Sequence, residues 1–406
     1  MSSPAARPAD SYTPLYFLAS LGAGGLTVTF FMYLMFWLPH PGRPVPVFED
    51  VAAGLATGGI ALKLAIVVAL IGIAAMAFLN IKSLIWNIAA LRRFQQSEAY
   101  GELRRTNGET ALLAAPLAAA MTVNVGFILG LIFVPGLWGV VEYLFPMALV
   151  AFLLIGIWAF RLLGHFLGRV LSEGGIYDMT AHNSFAQLLP AFAIAMVGVG
   201  LAAPAAMSTG TLTVGASLVL STFFGVAAII YTLFAAITGM NSMLHHGTAR
   251  ESAPTLMVVV PIVTVLGILF MRQDHGLHVT FEAQGGAGET LIFLSRLIAI
   301  EILFLALGLL VLKRQGYWGT FISGERASAG SYTLICPGVA FAVMMHFFVN
   351  NGLVGAGVIA KFGLAYWGLT GIAILAQFAM IALVLRLNRK HFSPRGSAPA
   401  QPVSAA

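Results

Sequence analysis

The sequence predicts an all-helical integral membrane protein, and three observations carry that prediction. Of 406 residues, 59% are hydrophobic and only 9% charged, against roughly 25% charged in an ordinary soluble domain. Apolar runs of about 20 residues, the length that crosses a hydrocarbon core, recur along the whole chain. Lys and Arg gather at alternate ends of those runs.

The runs place ten helices, at 12–38, 59–91, 111–133, 144–167, 184–207, 212–240, 254–271, 290–312, 332–350 and 358–387. Before helix 1, the segment MSSPAARPAD has no compact apolar stretch with a cleavage site, so helix 1 is expected to be retained. Arg7 precedes it. Basic residues then follow every even helix: Arg92, Arg93, Arg104 and Arg105; Arg161 and Arg169; Arg250; Lys313, Arg314 and Arg326; and Arg386, Arg389, Lys390 and Arg395. The opposite loops hold only Arg43 and Arg272. This asymmetry puts both termini in the cytoplasm, with the plasma membrane (the inner membrane of a bacterium) as the expected location. It also explains the net charge of +6 without a nucleic-acid surface. Residues 12–388 read as one transmembrane domain, flanked by Pro, Ala and Ser-rich tails, 1–11 and 389–406, expected to be disordered. The single cysteine, Cys336, has no partner for a disulfide or a thiolate metal site and reads as a small core residue.

The helices group as five hairpins whose first members share landmarks. Prolines stand in the odd helices at Pro14, Pro116, Pro190, Pro254, Pro261 and Pro337, spaced by 74, 71 and 76 residues from Pro116 through Pro190 and Pro261 to Pro337. Pro146, near the start of helix 4, is the exception among the even helices. Small or polar residues recur eight and ten positions after the proline: Gly22 and Gly24, Asn124 and Gly126, Gly198 and Gly200. Helices 7 and 9 depart from this, with Met271 and Phe347 at the tenth position. A proline inside a helix removes a backbone donor and costs about 3 kcal/mol, and irregular backbone at membrane depth is stable only where protein buries it or water lines it. Pro116, Pro190, Pro261 and Pro337 are therefore expected to kink an inner ring of odd helices around a pore. The six small or polar residues would line that pore and even helices would surround it. Freed backbone groups and helix-end dipoles would face a permeating ion.

These features resemble the tellurite-resistance and dicarboxylate transporter family, which includes bacterial TehA proteins, yeast malate and sulfite permeases, and the slow-type anion channels of plant guard cells. The resemblance rests on ten spans in five hairpins, prolines in odd helices, LGAGGL in helix 1 and SYTLICPG in helix 9, and covers roughly residues 12–387. It implies a quasi-five-fold barrel with a central pore for small inorganic anions, sulfur oxyanions or dicarboxylates, commonly assembled as a homotrimer. In that family a phenylalanine beside the helix 9 proline plugs the pore. Here Cys336 holds that position, and Phe341, one turn beyond Pro337, or Phe192 in helix 5 are the gate candidates, so that Phe341→Ala is expected to raise flux.

Ionisable residues within spans are functional candidates by default. Arg296 and Glu301 in helix 8 lie five residues apart, about 140° around the helix, and so are expected to pair with other helices rather than with each other. Lys63, Arg296, His346 and Lys361 fall toward the outer half and read either as an electropositive vestibule or as snorkelling lysines beside a packed histidine. A competing class is a haem-free, quinol-interacting membrane anchor of an oxidoreductase, built on Glu301 or His346. A b-type haem would need two axial ligands at one depth, and His165, toward the cytoplasmic end of helix 4, and His346, toward the outer end of helix 9, do not share one. The pair His245 and His246 reads as a solvated loop. GAGGL has no preceding strand, so it is not a dinucleotide loop, and no phosphate loop occurs. The sequence reading is thus a non-enzymatic anion channel or secondary transporter, with no cofactor or metal.

Overall fold

The computed structural model describes residues 7–173, 177–178 and 183–393. Among them, ten helices are long and apolar enough to cross a membrane: α1 (Pro14–Trp37), α2 (Ile60–Phe94), α3 (Asn107–Phe133), α4 (Leu137–Glu173), α5 (Ala186–Met207), α6 (Thr211–His246), α7 (Ala253–Phe281), α8 (Ala287–Arg314), α9 (Ala329–Val354) and α10 (Leu364–Phe392). The described residues contain no strand. The chain is a multi-pass, all-helical membrane protein.

Two differences from the sequence reading matter. Helix α7 continues ten residues past Met271, because MRQDHGLHVTF holds no proline, and it stops only where Glu282 turns left-handed (φ 55°). Arg272, expected in a loop, is therefore helical. At the chain ends, residues 389–392 belong to α10, and Pro8–Asp10 form a 3-10 turn with Ala9 buried. The Arg7 backbone N–H and guanidinium bond Asp10 and hold its carboxyl below the usual range. The remaining tail positions, including Arg395, lie outside the described residues.

Burial divides the helices by parity. In the most apolar stretch of each odd helix 61–94% of residues are buried, and in each even helix 22–39%. Even helices thus present broad apolar faces outward, as lipid contact requires. The odd helices touch in a closed sequence: α1 against α3, α3 against α5, α5 against α7, α7 against α9, and α9 against α1. Each even helix packs on the odd helix before it.

Every odd helix begins as a 3-10 turn before becoming α-helical, at Pro14–Tyr16, Asn107–Leu113, Ala186–Leu188, Ala253–Met257 and Ala329–Leu334. Pro116, Pro261 and Pro337 are each the third residue of the α-helical segment, and Pro190 the second. There the missing N–H would have had no i−4 partner within the α segment. These prolines mark the junction between two helix types. The turns also meet. Pro14–Tyr16 touches 107–113 and 329–334, the 107–113 turn touches 186–188, and 253–257 touches 329–334. Phe185 N–H donates to Thr255 Oγ1 at 3.0 Å, joining the starts of α5 and α7. All five odd helices therefore begin at one end, hereafter the basic end; the opposite end is the far end.

Helix α5 is interrupted at Ala202, five residues before its far end. It divides into Leu189–Leu201 and Ala203–Met207. The i−4 bond that Ala205 N–H would make to Leu201 O is replaced by a relay through α6: Ala205 N–H donates to Ser217 Oγ (2.9 Å), and Ser217 Oγ donates to Leu201 O (2.5 Å). Pro204 removes the preceding donor. A hydroxyl inserted into the ladder, beside a proline, is a sufficient cause for the break.

Candidate functional site: a five-helix cavity

The odd helices enclose a cavity of about 190 Å³. Each contributes one face at helical spacing: Leu21, Gly25, Val28 and Met32 from α1; Met121, Asn124, Ile128 and Leu131 from α3; Phe192, Met196, Val199 and Ala203 from α5; Pro261, Thr264, Ile268 and Arg272 from α7; and Cys336, Val339, Val343 and Phe347 from α9. Helix α4 closes one side with Val141, Phe145, Ala148 and Phe152. The lining begins at the level of Leu21, Phe192 and Pro261 and runs to the far ends of the helices, where Val45 and Met207 border it.

This wall is almost wholly apolar. Its polar side chains are Asn124, Thr264, Cys336 and Arg272, and Arg272 is the sole charged residue among them. Arg272 NH1 donates to Val199 O at 2.7 Å, which ties α7 to α5 two residues before the first α5 segment ends. Asn124 Nδ2 donates to its own helix at Ala120 O (3.2 Å). Thr264 Oγ1 lies 3.0 Å from Val260 O and 2.6 Å from Glu301 Oε1. Glu301 itself is fully buried in α8, directly behind Thr264.

Of the residues expected to line a pore, Gly22, Asn124 and Gly200 border this cavity. Gly24 and Gly198 do not. Gly24 sits against Asn80 and Met121. Asn80 is clamped to α1 by Nδ2 donating to Ser20 O (2.8 Å) and Ser20 Oγ donating to Asn80 O (2.9 Å). A Cβ on Gly198 would lie 2.8 Å from Leu269 and 3.2 Å from Phe224, so it serves helix contact. Gly126 is exposed, with nothing within 4 Å of such a Cβ. Among the prolines, Pro261 lines the cavity, and Pro116, Pro190 and Pro337 are buried below or beside it.

The gate candidates separate. Phe192 borders the basic end of the cavity, whereas Phe341 packs outside it, against the cluster of Leu294, Ile298, Met345 and Tyr366. Phe341 shares the face of Pro337, as its spacing requires, but that face turns away from the cavity. Cys336 does line the wall.

The remaining intramembrane candidates are not assembled into one vestibule. Arg296 lies exposed on α8. Lys63 Nζ donates to Ala56 O at 3.2 Å. His346 is buried among the rings of Tyr33, Phe36 and Trp37, with centroids 5.9–6.4 Å away, and neither ring nitrogen has a partner. Lys361 alone reaches a polar pocket at the far end, lined also by His40, Arg43, Asn350 and Asn351. Burial lowers the pKa of its ammonium. Arg43 there is held by Asp50. At the basic end His165 Nδ1 meets Glu109 at 2.7 Å, beside Arg104 and Arg169.

Sequence reasoning missed Arg272 and Thr264. The signal for Arg272 was available: an arginine only one residue past a predicted helix end, continuing the i, i+4 series of Thr264 and Ile268. No protein-family model matches the chain, and comparison with curated proteins gives no match.

Proposed function

We propose that the chain is an anion channel or secondary anion transporter of the tellurite-resistance and dicarboxylate transporter type. In this reading it lies in the plasma membrane with both termini cytoplasmic, so the basic end is the inner one. The five odd helices form a quasi-five-fold barrel, and the cavity is the outer half of its central pore. The closed order of odd-helix contacts and the contribution of one face from each helix support that architecture.

The observation that carries the anion reading is Arg272. A guanidinium stays charged at any physiological pH, and within an apolar wall its field is screened far less than in water. Val199 O occupies one of its five N–H donors. The planar fork suits a carboxylate or oxyanion, which it binds through charge-assisted hydrogen bonds. The α5 break supports the same reading, since interrupted helices at membrane depth occur where they border a cavity or protein.

The test is flux in liposomes containing the purified protein, across chloride, nitrate, sulfite and malate, with and without a pH gradient. Hydrogen bonds to charged groups contribute about 1.5–3 kcal/mol. Arg272→Gln should therefore lower flux at subsaturating anion by about 10- to 100-fold, with helix content unchanged by circular dichroism. Unchanged flux removes Arg272 as the anion site, and a wild-type protein that moves none of the anions ends the reading.

A further inference from the structure

The transport reading leaves Glu301 without a role. It is one of the few carboxyl groups fully withdrawn from solvent, no ion pair reaches it among the described residues, and its Oε2 has no hydrogen-bond partner. An ionised carboxylate buried in this way carries a desolvation cost that nothing nearby offsets.

Hydrogen counting at Thr264 points the same way. Its Oγ1 lies 2.6 Å from Glu301 Oε1 and 3.0 Å from Val260 O. A hydroxyl has one proton to donate. If it goes to Val260 O, the proton in the shorter contact belongs to Glu301, which donates from Oε1 to Thr264 Oγ1. Every donor is then satisfied, and Oε2 remains as a neutral carbonyl oxygen. Thr264 forms part of the cavity wall, so this carboxyl lies one side chain behind that wall.

We propose that Glu301 is a proton-binding site linked to the anion site through Thr264, so that proton and anion are bound together. With the carboxyl protonated, Glu301 donates to Thr264, and the threonine hydroxyl is free to swing from Val260 O and donate to an anion beside it. With the carboxyl ionised, Thr264 must donate inward to Glu301, turning oxygen lone pairs toward the cavity and adding a negative charge behind the wall. Each proton bound favours the anion, and by reciprocity each anion favours the proton.

Other ionisable groups are placed to matter less. Helix α8 packs against α7 and α9. On α7 these groups begin at Arg272, two turns past Thr264, followed by Asp274, His275 and His278. On α9 they are Cys336 and His346. None bonds Glu301.

The experiment builds on the transport reading and separates its failure from that of this inference. Anion flux into liposomes is measured against pH, with a trapped pH dye reporting acid movement. Wild-type flux should fall as pH rises, by about tenfold per pH unit beyond the midpoint for one linked proton, and acid should enter with the anion. Glu301→Gln, which keeps size and hydrogen bonding but carries no titrating proton, should give a flat profile and anion entry without acid. A profile unchanged in Glu301→Gln overturns the inference and leaves the transport reading standing; no wild-type flux at any pH overturns the transport reading. Should Glu301→Gln move no anion, Thr264→Val decides: a flat profile supports the link and a wild-type profile overturns it. Independently, the wild-type infrared spectrum should contain a protonated-carboxyl C=O band that disappears in Glu301→Gln, and its absence from the wild type also overturns the inference.

Discussion

A helix makes a full turn in 3.6 residues, so residues two apart point about 200° away from each other. That geometry explains the outcome for the three sequence pairs. One member of each faces the cavity, Gly22, Asn124 or Gly200, while Gly24, Gly126 or Gly198 faces a neighbouring helix or the outside. Gly24 and Gly198 serve close helix contact and Gly126 does not, and both members of a pair cannot share one wall. The same reasoning redirects the gate. Phe192→Ala removes a ring from the basic end of the cavity and should raise anion flux, whereas Phe341→Ala should leave flux unchanged. Phe192 is buried, and truncating a buried phenylalanine costs about 3–5 kcal/mol. The variant should thus lose thermal stability in detergent while gaining flux, and equal flux in the two variants would leave neither ring as a constriction.

At the scale of elements, prolines in the first α turn should be dispensable in a way that kink prolines are not. Pro116→Ala and Pro337→Ala are expected to change stability by no more than about 1 kcal/mol, read as nearly unchanged melting in detergent. Ser217→Ala should cost more, about 1–3 kcal/mol, because it strands or forces together Leu201 O and Ala205 N–H. By loosening the end of the α5 segment that carries Val199, it should also lower flux through the Arg272 anchor. These elements show how far the sequence could be read. Ten spans, their order and most boundaries follow from apolar runs long enough to cross a membrane, a one-dimensional property. The 3-10 turns at Asn107–Leu113 and Ala329–Leu334 were hidden, since a proline indicates a missing donor but not which helix type precedes it. The α5 break depended on Ser217, a residue of another helix, and local propensity holds no record of such a contact. Arg272 was legible as a charge near a helix end, yet its place in the wall depends on α7 continuing beyond its most apolar stretch.

For the whole molecule, the cavity borders residues at the far ends of the odd helices, while at the basic end the same helices converge in contacting 3-10 turns. If the basic end is cytoplasmic, as proposed above, access should be one-sided. The chain's single cysteine makes this measurable. In a Cys336→Ser background, Val28→Cys places a thiol on the cavity wall and Leu117→Cys places one in the buried ring below it. A membrane-impermeant thiol reagent added outside intact cells should modify the first and spare the second, and inverted vesicles should protect both. Charge adds a finer test, because Arg272 is the one charge in the lining and its field in an apolar enclosure is weakly screened. An anionic methanethiosulfonate should react at Val28→Cys faster than a cationic one of similar size, and Arg272→Gln should remove the difference. Rapid labelling of Val28→Cys only in inverted vesicles would reverse the orientation, and equal rates for the two reagents in the parent protein would mean that the cavity does not concentrate anions.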